Sequence, residues 1–104
     1  MDGTLYLSGQ IALDPKTMEM DNSSIEIETV RVLNNINSVL EEANFSFNDI
    51  IKTTIFLTSM EDFTVVNEIY GKRFEKESAP ARETIEVSGL PKNARIEISV
   101  IAKK

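Results

Sequence analysis

The 104 residues predict one α+β domain: a single sheet carrying two helices on one face, in the order ββαβαββ. Three observations predict it. Short segments near both ends alternate apolar and polar residues at period two. Two longer segments repeat their apolar residues at i, i+3, i+4 and i+7. Turn-forming residues separate all of these, with no repeat, linker or low-complexity stretch, so residues 1–104 are expected to form a single domain.

Leu5-Tyr6-Leu7-Ser8-Gly9-Gln10-Ile11-Ala12-Leu13 alternates. Leu5, Leu7, Gly9, Ile11 and Leu13 share one face; Tyr6, Ser8 and Gln10 share the other. Asp14-Pro15-Lys16-Thr17 is a turn, and Met18-Glu19-Met20 is expected to return as a short strand. Ser23 and Glu26 have the spacing of a capping box that opens the first helix. Val32/Leu33, Ile36, Val39/Leu40 and Ala43 form its apolar stripe, and Asn44 is its left-handed stop. After Asn48-Asp49, the β-branched run Ile50–Leu57 predicts a strand. Ser59 and Asp62 start the second helix, with Phe63, Val66, Tyr70 and Phe74 facing inward. Ala79-Pro80 ends this region. Strands follow at about Arg82–Ser88 and Ala94–Ala102, joined by Gly89-Leu90-Pro91-Lys92-Asn93.

Composition narrows the chemistry. With 41% hydrophobic and 7% aromatic residues, five Phe, two Tyr and no Trp, the core is aliphatic. The absence of His and Cys excludes a Ser-His-Asp triad, a cysteine nucleophile and zinc sites built on imidazole and thiolate. It also removes disulfides, as suits a reducing compartment. A net charge of −6 argues against broad electrostatic binding of nucleic acid. No apolar run reaches the ~20 residues of a membrane span. The sequence therefore predicts a cytoplasmic protein with no membrane partner, or an organellar one if a leader stands upstream.

Two charges remain as anchors for acid–base or anion-binding chemistry. Pro80-Ala81-Arg82 and Arg95-Ile96-Glu97-Ile98 place an arginine and a carboxylate on what are expected to be neighbouring strands. In the last strand Ile96, Ile98, Val100 and Ala102 oppose Arg95, Glu97, Ser99 and Ile101; in the one before, Ile85 and Val87 oppose Arg82, Thr84 and Glu86. If the apolar faces take the helices, Arg82, Thr84, Glu97 and Ser99 share the helix-free face. That face also carries Phe56 and Ile101, which points to an oligomer interface. Structural roles stand beside the functional ones. Arg82 and Glu97 could form an interface salt bridge, or Glu97 could pair with Arg95 across the subunit contact. Ser8 could satisfy a strand-end backbone group, Asn67 could be a buried structural amide, and Thr84 could contribute only backbone and shape.

The strings Ser8-Gly9-Gln10-Ile11 with Asp14-Pro15-Lys16-Thr17, Val32-Leu33-Asn34-Asn35-Ile36, Val39-Leu40-Glu41-Glu42-Ala43, Asp49–Leu57, Met60-Glu61-Asp62-Phe63, Val66-Asn67-Glu68-Ile69-Tyr70, Pro80-Ala81-Arg82, Leu90-Pro91-Lys92 and Ile96-Glu97-Ile98 resemble the Rid family (reactive intermediate deaminases, also called YjgF-like). The closest likeness is to its RidA branch, over about Gly3 to Ala102. The resemblance implies a chorismate-mutase-like fold of the bacillus type, assembled as a homotrimer with three clefts between subunits. It implies hydrolysis of 2-imino and 2-enamino acids, such as 2-aminoacrylate, to 2-keto acids and ammonia, with no metal or organic cofactor. The family's carboxylate-binding arginine falls on Arg82, and its water-positioning or activating acid on Glu97. The cleft serine falls on Ser8 beside the Gly9 backbone, and further cleft positions fall on Asn67 and Thr84.

Four departures accompany the resemblance. RidA proteins carry a further N-terminal segment with a Gly-Pro-Tyr motif whose tyrosine enters the cleft. Here the first predicted strand begins almost at Met1, and Tyr6 does not match that motif, so the chain is expected to be either truncated or a natural short form that lacks an earlier strand and that tyrosine. Glu83 stands where a small residue follows the arginine, and Ser99 where a second glutamate is common. The stretch from Phe74 to Pro80 is short and lacks an aromatic residue before the proline. Two other functions fit the sequence: a non-catalytic trimer binding small carboxylates, and a translation- or RNA-directed role, which the net charge disfavours.

Overall fold

A computed structural model describes residues 3–75, 77 and 79–104. Expectations resting on Met1, Asp2, Lys76 and Ser78 lie outside them. The elements are β1 (Thr4–Gln10), α1 (Ile25–Glu42), β2 (Ile50–Leu57), α2 (Phe63–Gly71), β3 (Ala81–Glu86) and β4 (Ile96–Lys103). They build the expected α+β architecture: one four-stranded mixed sheet, in the order β1-β4-β2-β3, with two helices. β4 runs antiparallel to both β1 and β2, whereas the edge strand β3 runs parallel to β2. No helix among the described residues is long and apolar enough to cross a membrane.

The core lies between sheet and helices. Ile55, Leu57, Ile96, Ile98, Val100 and Ala102 of the sheet meet Val32, Leu33, Ile36 and Leu40 of α1 and Val66 of α2. Their period-two and period-3.6 spacings are what make one face of each element apolar. Asn44 takes φ 65°, the left-handed stop its position suggested.

Three local expectations are corrected. The N-cap of α1 is Ser24, whose side chain accepts from the Ile27 N–H at 3.1 Å, so the Ser23/Glu26 box does not form. A serine pair offers two registers for the cap, and the second leaves isoleucine at N3. The Met18–Met20 segment is not a strand. A single bridge joins Leu13 to Met20, because Met18 takes φ 61° and Asp14 accepts from the Lys16 N–H, closing a tight turn. The third correction concerns β3 and bears on the site.

Candidate functional site

Arg82 and Glu97 are neither on neighbouring strands nor on one face. β2 lies between β3 and β4, with Arg82 paired to Thr53 and Glu97 paired to Phe56. Two strand spacings and three residues of rise separate their Cα atoms by about 14 Å. Thr53 is buried under α2, so Arg82, Thr84 and Glu86 point to the helix side, while Glu97, Ser99, Ile101 and Phe56 point to the bare side. The bare side also carries the exposed Tyr6 and Ile85 and an ion pair of Lys52 with Glu83 at 3.4 Å. The apolar-face rule fails for β3 because the helices leave this edge strand largely exposed. Polar groups toward the helices there stay wet and cost little.

On the helix side, Arg82 is held by α2. Phe63, Asn67 and Tyr70, at i, i+4 and i+7, share one helix face. The guanidinium carbon lies 5.8 Å from the Phe63 ring centroid and 5.5 Å from that of Tyr70, within cation–π range. One Nη donates to Asn67 Oδ1. Tyr70 is itself fixed, its hydroxyl donating to Thr53 Oγ1 at 2.9 Å in the core. Burial pushes the Tyr70 phenol above its ordinary pKa, against smaller opposing effects of the Thr53 hydrogen bond and the Arg82 charge. None of the ion pairs among the described residues uses Arg82, whose side chain is exposed. Its seated, exposed guanidinium is suited to gripping a carboxylate in a bidentate fork.

On the bare side, Glu97 leans across β1. The β1–β4 register shifts between Leu7 and Gln10, leaving Ser8 and Gly9 in a bulge. A Cβ at Gly9 would stand 2.3 Å from Glu97 Oε2, so the carboxylate occupies the space that glycine leaves free. Ser8 is exposed there, and its carbonyl accepts from Gln10 Nε2 at 3.1 Å. Thus Gly9 and Glu97 meet on one side, with Ser8 beside Gly9 in the bulge, and Arg82, Asn67 and Thr84 lie on the other. A groove of about 480 Å³ touches Gly9 and runs along Ile11, Leu13, Asn35 and Val39, but includes neither Arg82 nor Glu97. No group of three or more Asp or Glu among the described residues is placed to hold a metal ion.

Two features escaped the sequence. Phe63 and Tyr70 were expected only as core, although their spacing with Asn67 marks a common face. Within the chain, Arg95 does not pair with Glu97. Its Nε donates to Glu28 Oε1 at 2.8 Å, and Glu28 is wholly buried. The signal was present: Glu28 stands four residues before Val32 and eight before Ile36, in line with the apolar stripe of α1.

The model of the family described as Endoribonuclease L-PSP matches residues 1–104. A RutC family protein of Pyrococcus horikoshii is 49% identical over 100 residues, spanning 96% of this chain and 79% of that protein. The crystal structure of YyfA from Yersinia pestis, from the conserved Rid protein family, superposes with a TM-score of 0.96 at 45% identity, covering 100% of this chain and 82% of that one. The structure of E. coli TdcF with bound serine gives 0.92 at 33% identity, covering 100% and 83%.

Proposed function

The chain belongs to the Endoribonuclease L-PSP family, which is the Rid (YjgF-like) family, and on that premise we propose that it hydrolyses 2-imino and 2-enamino acids to 2-keto acids and ammonia. The observation that carries this reading is the guanidinium of Arg82 seated on α2 on one side of the sheet and the carboxylate of Glu97 on the other. Arg82 binds the substrate carboxylate. Glu97 takes a proton from water as its oxygen bonds to C2 and the imine nitrogen is protonated, giving a carbinolamine. The carbinolamine hydroxyl then loses its proton as C2=O forms, and the nitrogen, protonated a second time through Glu97, leaves as ammonia when the C–N bond breaks. An enamine is first protonated on carbon to give the imine. Holding the acid and one water in register supplies much of the rate, because imine hydrolysis is intrinsically facile.

Because the two groups lie on opposite faces, one chain does not complete the site. We place Arg82, Asn67 and Thr84 of one subunit against Glu97, Ser8 and Gly9 of the next, in a homotrimer joined through the bare sheet face. Tyr6, 75% exposed, and Ile85, 41% exposed, give that face apolar surface to bury. The serine bound in TdcF is a small amino-acid carboxylate of the proposed substrate size. Cleavage of RNA, which the family description names, is disfavoured here by the net charge of −6.

The test couples a dehydratase that generates 2-aminoacrylate to this protein and follows imine decay by semicarbazide trapping. Faster decay that disappears in Arg82→Ala and in Glu97→Ala supports the reading. Folded trimers that bind small carboxylates without accelerating decay would replace it with a binding protein.

A further inference from the structure

We propose that the pair formed by buried Glu28 with the half-buried Arg95 is a positioning device for Glu97. The inference rests on Glu97 being the proton-transferring group of the proposed reaction. Residue 95 stands just before β4, and its N–H, carbonyl, Nε and Nη2 are all engaged. Its backbone N–H donates to Glu28 Oε2 at 2.7 Å and its Nε to Glu28 Oε1 at 2.8 Å. Its Nη2 donates to the Asn22 carbonyl at 2.9 Å, and its own carbonyl accepts from the Thr58 N–H at 3.1 Å. Glu28 is anchored in turn, its N–H bonded to the Ser24 carbonyl at 2.9 Å in the first turn of α1.

A buried ion pair is weak evidence for stability, since two apolar side chains of similar volume often stabilise as well. They would not grip a backbone N–H. The carboxylate of Glu28 holds side chain and main chain of residue 95 together, and so sets where β4 begins. With Arg95 fixed, alternation sends Ile96 to the core opposite Leu57 and Glu97 to the bare face opposite Phe56. A slip of one residue would turn Glu97 into the core side. The contact made by Glu97 over Gly9 leaves little tolerance even for smaller shifts.

The experiment compares kcat and KM of wild type, Glu28→Gln, Arg95→Lys and Glu97→Gln trimers on enzymatically generated 2-aminoacrylate. Glu28→Gln is expected to lower kcat about 10- to 100-fold, as a carboxylate misplaced by an ångström would. KM should stay within about twofold, because the Arg82 seat on α2 and β3 is untouched. The same change in a Glu97→Gln background should cost nothing further, which a general weakening of the fold would not reproduce. Unchanged kcat in folded Glu28→Gln, or equal losses with and without Glu97, overturns the proposal. If Glu28→Gln does not fold, Arg95→Lys, which removes the Nε bond to Glu28 and the Nη2 bond to the Asn22 carbonyl and so frees residue 95 from its side-chain anchors, carries the same outcomes. Wild-type turnover in Glu97→Gln would mean that the assignment of Glu97 itself has failed, and the proposal falls with it.

Discussion

Gly9→Ala separates the placing of Glu97 from the stability of the fold. Gly9 is not in the left-handed region, so an alanine there strains no backbone. Its methyl would stand 2.3 Å from Glu97 Oε2, 2.5 Å from Cδ and 2.9 Å from Cγ, where ordinary contact begins at 3.4 Å. The side chain of Glu97 must retreat by about 1 Å, a displacement that costs on the order of 100-fold in rate when it moves a reacting group. The atoms displaced belong to a flexible side chain on a half-buried face, so the melting temperature should move by no more than about 4 °C. Turnover of generated 2-aminoacrylate and thermal unfolding, measured on one preparation, read both quantities. The variant is expected to fold, to keep its KM and to lose most of its kcat. Wild-type kcat in Gly9→Ala would refute the placing of Glu97 over Gly9 as the basis of turnover. So would a loss caused by Gly9→Ala in the Glu97→Gln background as large as the loss it causes in wild type.

Arg82→Lys should raise KM about 10- to 100-fold, because an ammonium replaces the bidentate fork worth roughly 1.5–3 kcal/mol per charged contact, as steady-state kinetics would show. Tyr70→Phe leaves buried Thr53 Oγ1 without its donor and should cost about 1–2 kcal/mol in urea unfolding, while loosening the Arg82 seat enough to raise KM. The raised pKa of Tyr70 gives a pH signature. Its stabilisation is fully present below the unfolded phenol's pKa, about 10, and is lost as pH rises through the higher folded value. Wild type should therefore lose stability more steeply than Tyr70→Phe above that pH, as parallel denaturation series would register.

Much of the fold was legible because burial imposes a period. The stripe of α1 and the alternation in β4 each face a fully covered core, and both appear as their spacing required. β3 lacked that constraint. An edge strand left largely exposed by the helices can carry Arg82 toward them and Ile85 away from them, which reverses the orientation that hydrophobicity alone assigns. Strand order was hidden for a related reason: the sequence places β3 beside β4, but a parallel β2–β3 pair inserts β2 between them. For the candidate site, the individual residues were visible as motifs, and their division between the two faces of the sheet was not. That division depends on pairing register, and on Gly9 matching a carboxylate that is 88 residues distant in the sequence.

The central claim is that Arg82 of one subunit works with Glu97 of another. Inactive Arg82→Ala and inactive Glu97→Gln chains, unfolded together and reassembled, test it directly, with subunit exchange verified by native mass spectrometry. In a three-fold ring with random assembly, about a quarter of the clefts would combine an intact Arg82 with an intact Glu97. Recovery of about a quarter of wild-type turnover is the expected result. Verified mixed trimers that stay inactive would contradict the shared site.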